Sequence, residues 1–574
     1  MRRWSGVFNA GAFILLSVIA LAAADQQSGE VNKLFARWDT STTPGMNVLV
    51  LRDGQPVYSH SFGMANLELS KSNDSALVYP VGSLTKQFTA YCVHLLAKQG
   101  KLALTDDVRK YIPEMHDFGE VITLQMLLHH TSGLRDNVDL LTIKGRRVDD
   151  VISEDESFDV ITGQLGLNFP PASHYRYSNA NYVLLAKIVE RVSGMKFSDF
   201  LKQHVFLPFG MAHTSLVTDP LSVTPNRAYG YSWTGQFTPQ TAADSTYGNT
   251  GILSTISDLE IWSSKFWEPG TSTPEIFAAM KQPGVLRDGI PITYASGLHA
   301  ESFHGMHYVE HTGAVPGFRS DVLVFPAQKL SIILLANTDN LNAPRLAFSI
   351  AEIYLRDEYP ALPERPRAVP SPGLSTLQKY AGTYEILSGT SEVGPGRQLT
   401  FQAERNALRF TGENAPLLAS SGRDFFSSTT SFHVTFLPTT DGTGHFMVVV
   451  HDPSGTDFAG RRIKPVLPRK QAAPVSSSSY LGLYYSAELA TAYEVTQKAG
   501  ALSLRTPRGV VALEGRSPDV FAARGNLAEG KFAGTLEFSR AQGSVTGFLL
   551  TTSGGRAANI PFAKTGFSRV SLVP

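Results

Sequence analysis

The sequence predicts an α+β domain built on an antiparallel sheet, followed by two all-β modules. Apolar runs typical of strands occur at both ends of residues 30–360, and helical patterns lie between them. Two proline-rich stretches then separate segments in which short apolar runs alternate with Gly, Ser and Asn. A phrase at residues 380–384 (Tyr-Ala-Gly-Thr-Tyr) returns at 480–484 (Tyr-Leu-Gly-Leu-Tyr), which indicates duplicated modules.

The first domain is expected to open and close with strands. Apolar runs around short turns predict β-hairpins at residues 46–62 and 319–336. Helical spacing of apolar residues predicts helices at 88–99, 181–192 and 346–359. The first and last strands should therefore meet in one antiparallel sheet that helices cover.

The two linkers set the predicted domain boundaries. At 574 residues the chain is too long for a single core. The division is a leader at 1–24, a first domain at 25–362, a linker at 363–376, a β module at 377–467, a linker at 468–479 and a second β module at 480–574. Each β module is expected to be a small barrel.

The amino-terminal segment has the pattern of a secretory signal peptide. Arg2 and Arg3 precede an apolar stretch at 11–24 that ends in three alanines. This stretch is short for a transmembrane helix, which favours cleavage over an uncleaved anchor. The sequence therefore predicts export to the periplasm or the extracellular space.

Charge and cysteine content exclude some classes of partner. The chain has 50 basic and 50 acidic residues, so no basic excess points to nucleic acid or a membrane surface. Cys92 is the only cysteine, which rules out an intramolecular disulfide. Its place in the helix predicted at 88–99 indicates a small core residue rather than a reactive thiol.

Ser83-Leu84-Thr85-Lys86 carries the strongest chemical signal. It places a hydroxyl and an amine three residues apart at a predicted helix start, and such positions share one face of a helix. A serine hydroxyl needs an adjacent base to become a nucleophile, and a lysine kept neutral by burial can accept its proton. Taken alone, the pattern more often marks an exposed helix surface.

Tyr177-Ser178-Asn179 is a second candidate, on a loop that opens into a predicted helix. A phenol near an ammonium can act as general base or can protonate a leaving group. The Asn179 amide can hold both Lys86 and a substrate carbonyl. Taken alone, the motif also fits a turn plugged by an aromatic ring.

His311-Thr312-Gly313 is the third candidate and is expected to end a strand. A glycine there lets a substrate chain lie along the strand edge. The N–H groups of Ala314 and Ser83 could then form an oxyanion site. A histidine satisfied within a strand fits the same pattern.

Together, in this order and within one domain, the three motifs resemble those of the serine β-lactamase and penicillin-binding superfamily. The similarity is greatest to its branch of class C β-lactamases, DD-peptidases, esterases and D-aminopeptidases, and it covers about residues 30–360. Residues 127–134 (Leu-Leu-His-His-Thr-Ser-Gly-Leu) and 251–255 (Gly-Ile-Leu-Ser-Thr) reinforce it. The resemblance implies a five-stranded antiparallel sheet flanked by helices.

The resemblance also implies a role for each candidate residue. Ser83 would be the acylated residue, and Lys86 and Tyr177 would share proton transfer. Substrate binding and the oxyanion site would fall to Asn179, His311, Gly313 and Ala314. The expected substrate is a small peptide, amide or ester.

Departures from the superfamily narrow the expected activity. Class C β-lactamases have Lys-Thr-Gly where this chain has His311-Thr312-Gly313, which argues against an efficient β-lactamase. The D-aminopeptidases carry two appended eight-stranded barrels, and a loop of the last barrel limits their site to substrates with a free amine. No equivalent loop is evident in this sequence.

We therefore expect a serine hydrolase for peptides or amides that contain D-amino acids, of the D-aminopeptidase or DD-peptidase kind. An esterase or weak β-lactamase of the same fold is an alternative, and a non-catalytic protein that binds cell-wall peptides is another. The sequence implies no cofactor. His129-His130 has no evident third metal ligand, and the acidic run at 149–159 is predicted to be a solvated loop.

Overall fold

The computed structural model describes residues 25–566, apart from 148–149, 220, 241–245, 268–272, 361–365, 388–396, 406, 413–414, 441–444, 452–456, 464–476 and 528–529. The predicted signal peptide at 1–24 lies outside the described residues. Most of the predicted second linker, 468–479, does so too.

The first domain is built on a six-stranded antiparallel sheet. In spatial order its strands are His299–Phe303, Met306–Val315, Phe318–Phe325, Leu330–Ala336, Met46–Arg52 and Gln55–Phe62. Met46 pairs with Ala336, which confirms that the first and last strands of this domain meet. The expected count of five strands is one too low, because the edge strand His-Ala-Glu-Ser-Phe has little apolar character to mark it.

The two faces of this sheet enter separate cores. Successive side chains of a strand point to opposite faces. Leu49 therefore packs with apolar side chains of the helix Thr85–Lys98, whereas Val48 packs with those of Ala343–Leu355. The first of these cores supports the candidate site.

Helices cover both faces. They comprise residues 25–35, Thr85–Lys98, Leu124–Leu128, Asn137–Lys144, Glu154–Thr162, Asn179–Ser193, Phe197–Leu201, Leu207–Phe209, Ile256–Ser264, Pro274–Met280 and Ala343–Leu355. Thr85–Lys98 is central, with eleven of its fourteen residues buried, and Cys92 is in the core as predicted. Across the described part of the chain, no helix is both long enough and apolar enough to cross a membrane.

Two local predictions are wrong. The His-Thr-Gly motif does not end its strand, because Met306–Val315 continues to pair with Phe318–Phe325 as far as Val315. The acidic run is not a loop throughout, because Glu154–Thr162 is helical. Ser153 caps that helix, and three acidic residues in its first turn suit the positive end of the helix dipole.

The first β module is an eight-stranded antiparallel sheet preceded by the helix Leu374–Tyr380. Its strands are Gly382–Ile386, Gln398–Glu404, Ala407–Phe410, Leu418–Ala419, Asp424–Phe426, His433–Pro438, Phe446–His451 and Asp457–Ile463. A bridge between Leu408 and Leu417 joins its two ends, so the barrel is nearly closed.

The second β module is a closed barrel, in which the first and last strands pair at Tyr484 and Lys564. Its strands are Gly482–Ser486, Thr491–Lys498, Ala501–Thr506, Gly509–Ser517, Val520–Leu527, Gly530–Ala541, Ser544–Thr552 and Ile560–Lys564. Closure leaves no strand edge exposed.

The repeated phrase occupies equivalent places in the two modules. The Tyr384 hydroxyl donates to the Tyr380 carbonyl over 2.9 Å, and the Tyr484 hydroxyl donates to the Tyr480 carbonyl over 2.6 Å. The same side chain thus ties the first strand to the end of the short helix before it in each module, as duplication predicts.

Candidate active site

Ser83 lies in a tight turn, Gly82–Leu84, that leads into the helix Thr85–Lys98. Gly82 has φ +56°, and a Cβ there would come within 2.8 Å of the Ala314 amide nitrogen. A Cβ on Gly313 would collide with the Val81 carbonyl oxygen. The turn and the His-Thr-Gly strand therefore meet backbone to backbone, which brings Ser83 next to the Ala314 amide.

Lys86 is completely buried, and its amine has three polar neighbours. Its Nζ is 3.0 Å from Ser83 Oγ, and it donates to Asn179 Oδ1 over 2.9 Å and to the Asn249 carbonyl over 2.8 Å. Burial lowers the pKa of Lys86 well below its ordinary value. A neutral amine has two N–H groups and one lone pair, so the two carbonyl acceptors leave the lone pair for the Ser83 hydroxyl.

Tyr177 lies beside this pair. Its ring centroid is 4.9 Å from Lys86 Nζ. Burial raises the pKa of Tyr177 far above its usual range, although the Ser83 hydroxyl and the Arg556 charge oppose the shift. Tyr177 is thus a phenol at neutral pH, which suits a proton donor better than a general base.

Asn179 is the first residue of the helix Asn179–Ser193, as its motif predicts. Its backbone N–H and its Nδ2 both donate to Asp136 Oδ2, over 2.6 and 3.0 Å. The Asp136 carboxylate therefore fixes the amide so that Oδ1 faces Lys86. Sequence reasoning missed Asp136, although an Asp before the helix Asn137–Lys144 is a typical N-cap.

His311 lies in the wall of the site and is only 3% exposed. Its Nδ1 donates to the Thr312 carbonyl over 2.7 Å, so its Nε2 accepts from the Tyr294 hydroxyl, 3.0 Å away. Burial lowers the pKa of His311 well below its ordinary value. His311 is therefore neutral, and Tyr294 is a further site residue that no sequence motif marked.

His129 and His130 are buried structural residues. His130 Nδ1 accepts from the Ser178 N–H and from Asn181 Nδ2, which supports the loop that carries Tyr177. No cluster of His, Cys, Asp and Glu suited to a metal ion occurs within the described ranges.

A loop of the second barrel reaches the site. It spans residues 553–559, between the strands Ser544–Thr552 and Ile560–Lys564. Arg556 forms an ion pair with Asp136, and its guanidinium carbon is 5.7 Å from the centroid of the Tyr177 ring. No motif in the sequence identified this loop or indicated that it lies beside Tyr177.

Comparisons with known proteins show the family of the first domain. A family model described as Beta-lactamase matches residues 31–354. The chain is 28% identical to penicillin-binding protein 4* of Bacillus subtilis (strain 168) over 422 residues, 70% of this chain and 92% of that protein. It is also 28% identical to a D-aminopeptidase of Brucella anthropi over 313 residues, 54% of this chain and 59% of that protein.

Two solved structures share the fold. One is the octameric penicillin-binding protein homologue from Pyrococcus abyssi, with a TM-score of 0.51 at 21% identity over 75% of this chain and 99% of that chain. The other is SurE, with a TM-score of 0.51 at 18% identity over 95% of this chain and 99% of that chain. The second likeness extends over the β modules as well as the first domain.

Proposed function

We propose that this chain, which belongs to the Beta-lactamase family and is a serine hydrolase of that family, forms an acyl-enzyme on Ser83. We further propose that it cleaves amides or peptides of D-amino acids. One observation carries the proposal. The Lys86 amine is buried, has a lowered pKa and lies 3.0 Å from Ser83 Oγ, with two carbonyl oxygens holding its N–H groups.

Acylation follows from this geometry. The Ser83 hydroxyl proton moves to Lys86 Nζ as Oγ bonds to the substrate carbonyl carbon, and an electron pair moves to the carbonyl oxygen. The N–H groups of Ser83 and Ala314 are the proposed donors to that oxygen. The bond to the leaving amine then breaks as Tyr177 donates a proton to it, and Tyr177 regains a proton from Lys86.

Deacylation reverses these roles. A water molecule attacks the acyl carbon, its proton is taken up by the Lys86 and Tyr177 pair, and Ser83 Oγ leaves with a proton. The water oxygen ends in the carboxylate product. Asn179, held by Asp136, is proposed to orient both Lys86 and the substrate.

The choice of substrate rests on the relatives and on His311. The chain is similar to a D-aminopeptidase and to a penicillin-binding protein, and this similarity supports a D-configured amide or peptide as the proposed substrate. The neutral His311 supplies no positive charge to grip the carboxylate of a β-lactam. Efficient β-lactamase activity is therefore not expected.

We also propose that the enzyme is exported. The basic start, the apolar stretch and the alanines at 22–24 support a cleaved signal peptide. Cell-wall peptides, which contain D-amino acids, would be accessible to an exported enzyme.

The test is a matched set of chromogenic amides. Full-length protein is assayed on the p-nitroanilides of D-alanine and L-alanine, with Ser83→Ala as the catalytic control and its melting temperature as the folding control. We expect turnover of the D-amide above the L-amide, and none by Ser83→Ala. Equal activity of Ser83→Ala would reject the proposal, and binding of D-peptides without turnover of any acyl donor would favour the non-catalytic alternative.

A further inference from the structure

Arg556 of the second barrel holds Asp136 by two routes. Its guanidinium forms an ion pair with the Asp136 carboxylate, and its backbone carbonyl accepts the Asp136 N–H over 2.9 Å. Asp136 in turn binds Asn179 through the backbone and the side chain, and Asn179 accepts from Lys86. A continuous polar path thus leads from the second barrel to the amine beside Ser83.

We propose that Arg556 is a positioning residue for the reaction: it balances the buried Asp136 charge, so that Asp136 orients Asn179 against Lys86 without drawing a proton onto the Lys86 amine. The inference rests on the proposed function in that it takes Lys86 to be the base. The second barrel then supplies a charge to a site whose nucleophile and base lie in the first domain.

Burial makes this balance necessary. The Asp136 side chain is fully buried, whereas that of Arg556 is 35% exposed. An unpaired charge in a buried setting acts strongly on its neighbours, because little water screens it. Without Arg556, the Asp136 carboxylate would favour a protonated Lys86.

Among the groups around Lys86, Asp136 and Arg556 are the two whose charges act on the pKa of its amine. The surrounding groups are Ser83 on its own turn, Asn179 and Tyr182 on one helix, Tyr177 before it, His130 and Asp136 on the segment after Leu124–Leu128, His311 on the strand, the Asn249 carbonyl, and Arg556. Burial lowers the pKa of His130 and of His311, so both are neutral. Asp136 raises the pKa of Lys86 and Arg556 lowers it.

The loop has other anchors, so the Arg556 side chain can be changed without undocking the barrel. Arg176 donates to the Gly554 carbonyl over 2.7 Å, and Arg135 donates to the Ala558 carbonyl over 3.0 Å. The Ala558 N–H donates to Asn168 Oδ1 over 2.8 Å. A variant of Arg556 thus changes mainly the charge that faces Asp136 and Asp139. Burial and the Asp136 charge raise the pKa of Asp139, and the Arg556 charge lowers it.

The test compares full-length Arg556→Gln with Arg556→Lys. Gln keeps a hydrogen-bond donor and loses the charge, whereas Lys keeps the charge. Arg176→Gln is the matched control, because it weakens the same loop without touching Asp136. The readout is the pH profile of kcat/KM on a chromogenic D-amino acid ester.

We expect Arg556→Gln to move the acidic limb of this profile up by about one pH unit, with activity recovered at alkaline pH. Arg556→Lys and Arg176→Gln should leave the limb in place. Two results for Arg556→Gln would overturn the inference: a loss of kcat/KM that is the same at every pH, or an acidic limb of the profile that stays in place.

A second measurement does not depend on turnover. The pH titration of the Lys86 side chain is followed by NMR of 13C-lysine-labelled protein, with Lys86→Met to assign the signal. The inference expects a higher midpoint in Arg556→Gln than in Arg556→Lys, and equal midpoints would overturn it. Absence of any acyl-enzyme in the wild type would instead reject the proposed function and leave this titration to decide the inference.

Discussion

The Tyr294 hydroxyl donates to His311 Nε2 over 3.0 Å, and this contact decides what the histidine can do in the site. His311 Nδ1 is already used by the Thr312 carbonyl. Both ring nitrogens therefore have partners within the protein. The histidine acts through its shape and position, and Tyr294 keeps it there.

Tyr294→Phe should lower kcat/KM on the D-amide several-fold, because His311 Nε2 loses its donor. The melting temperature should fall by the equivalent of about 1 kcal/mol, which is typical of one lost hydrogen bond. Tyr308→Phe is the matched control, since Tyr308 lies on the strand of His311 and donates to Glu301 Oε2 of the neighbouring strand, but packs in the opposite core. The control should lose similar stability and keep its activity. Equal kinetics for the two variants would contradict the role of Tyr294.

Gly82→Ala should destroy activity beyond its effect on stability. The new Cβ would meet the Ala314 amide at 2.8 Å in a backbone with φ +56°, which costs about 1–3 kcal/mol and displaces Ser83 from that amide. Gly100→Ala is the control, because Gly100 has φ +69° with nothing within 4 Å of the added Cβ. It should lose stability from the backbone alone, with kcat unchanged. Full activity in Gly82→Ala would rule out the close approach as a requirement.

The lowered pKa of Lys86 also predicts a pH dependence of stability. A lysine with a depressed pKa in the folded state binds fewer protons than it does when unfolded, so its contribution to stability rises with pH up to the ordinary value of 10.5. The free energy of unfolding of the wild type, minus that of Lys86→Met, should therefore increase from neutral pH towards pH 10. Urea unfolding at several pH values measures it. A flat or decreasing difference would mean that Lys86 is charged in the folded protein.

The second barrel should depend on a buried ion pair with the first domain. Arg135 and Glu488 pair with side chains only 4% and 2% exposed. Glu488→Gln leaves a buried guanidinium without its counter-charge and should cost about 3 kcal/mol, seen as a lower melting temperature. The exposed pair of Lys98 and Glu275 gives the control, Glu275→Gln, which should change the melting temperature little. Similar effects of the two variants would argue against a tightly docked barrel.

Local patterns predicted much of the first domain. The hairpin around Asp53-Gly54 and the helix after Asn179 follow from apolar spacing and turn residues, and both are present. The edge strand His299–Phe303 was missed because an edge strand can be polar. The strand bearing His311 extends further than predicted because pairing with its neighbour, rather than its own sequence, decides where it ends.

Some contacts of the candidate site could be predicted from the sequence, and others could not. Ser83 and Lys86 are three residues apart, so their contact follows from helix geometry alone. Arg556 and Asp136 are 420 residues apart, and only the docking of the second barrel brings them together. The roles assigned to Ser83, Lys86, Tyr177, Asn179, His311, Gly313 and Ala314 remain predictions, as do the domain boundaries.

The most direct test of acylation at Ser83 is intact-mass analysis of protein quenched in acid during turnover of a D-alanine p-nitrophenyl ester. We expect an added alanyl group on the wild type, located by peptide mapping to the segment containing Ser83, and no such addition on Ser83→Ala. An adduct on another residue would contradict acylation at Ser83. Turnover of the ester by Ser83→Ala at the wild-type rate would contradict it as well.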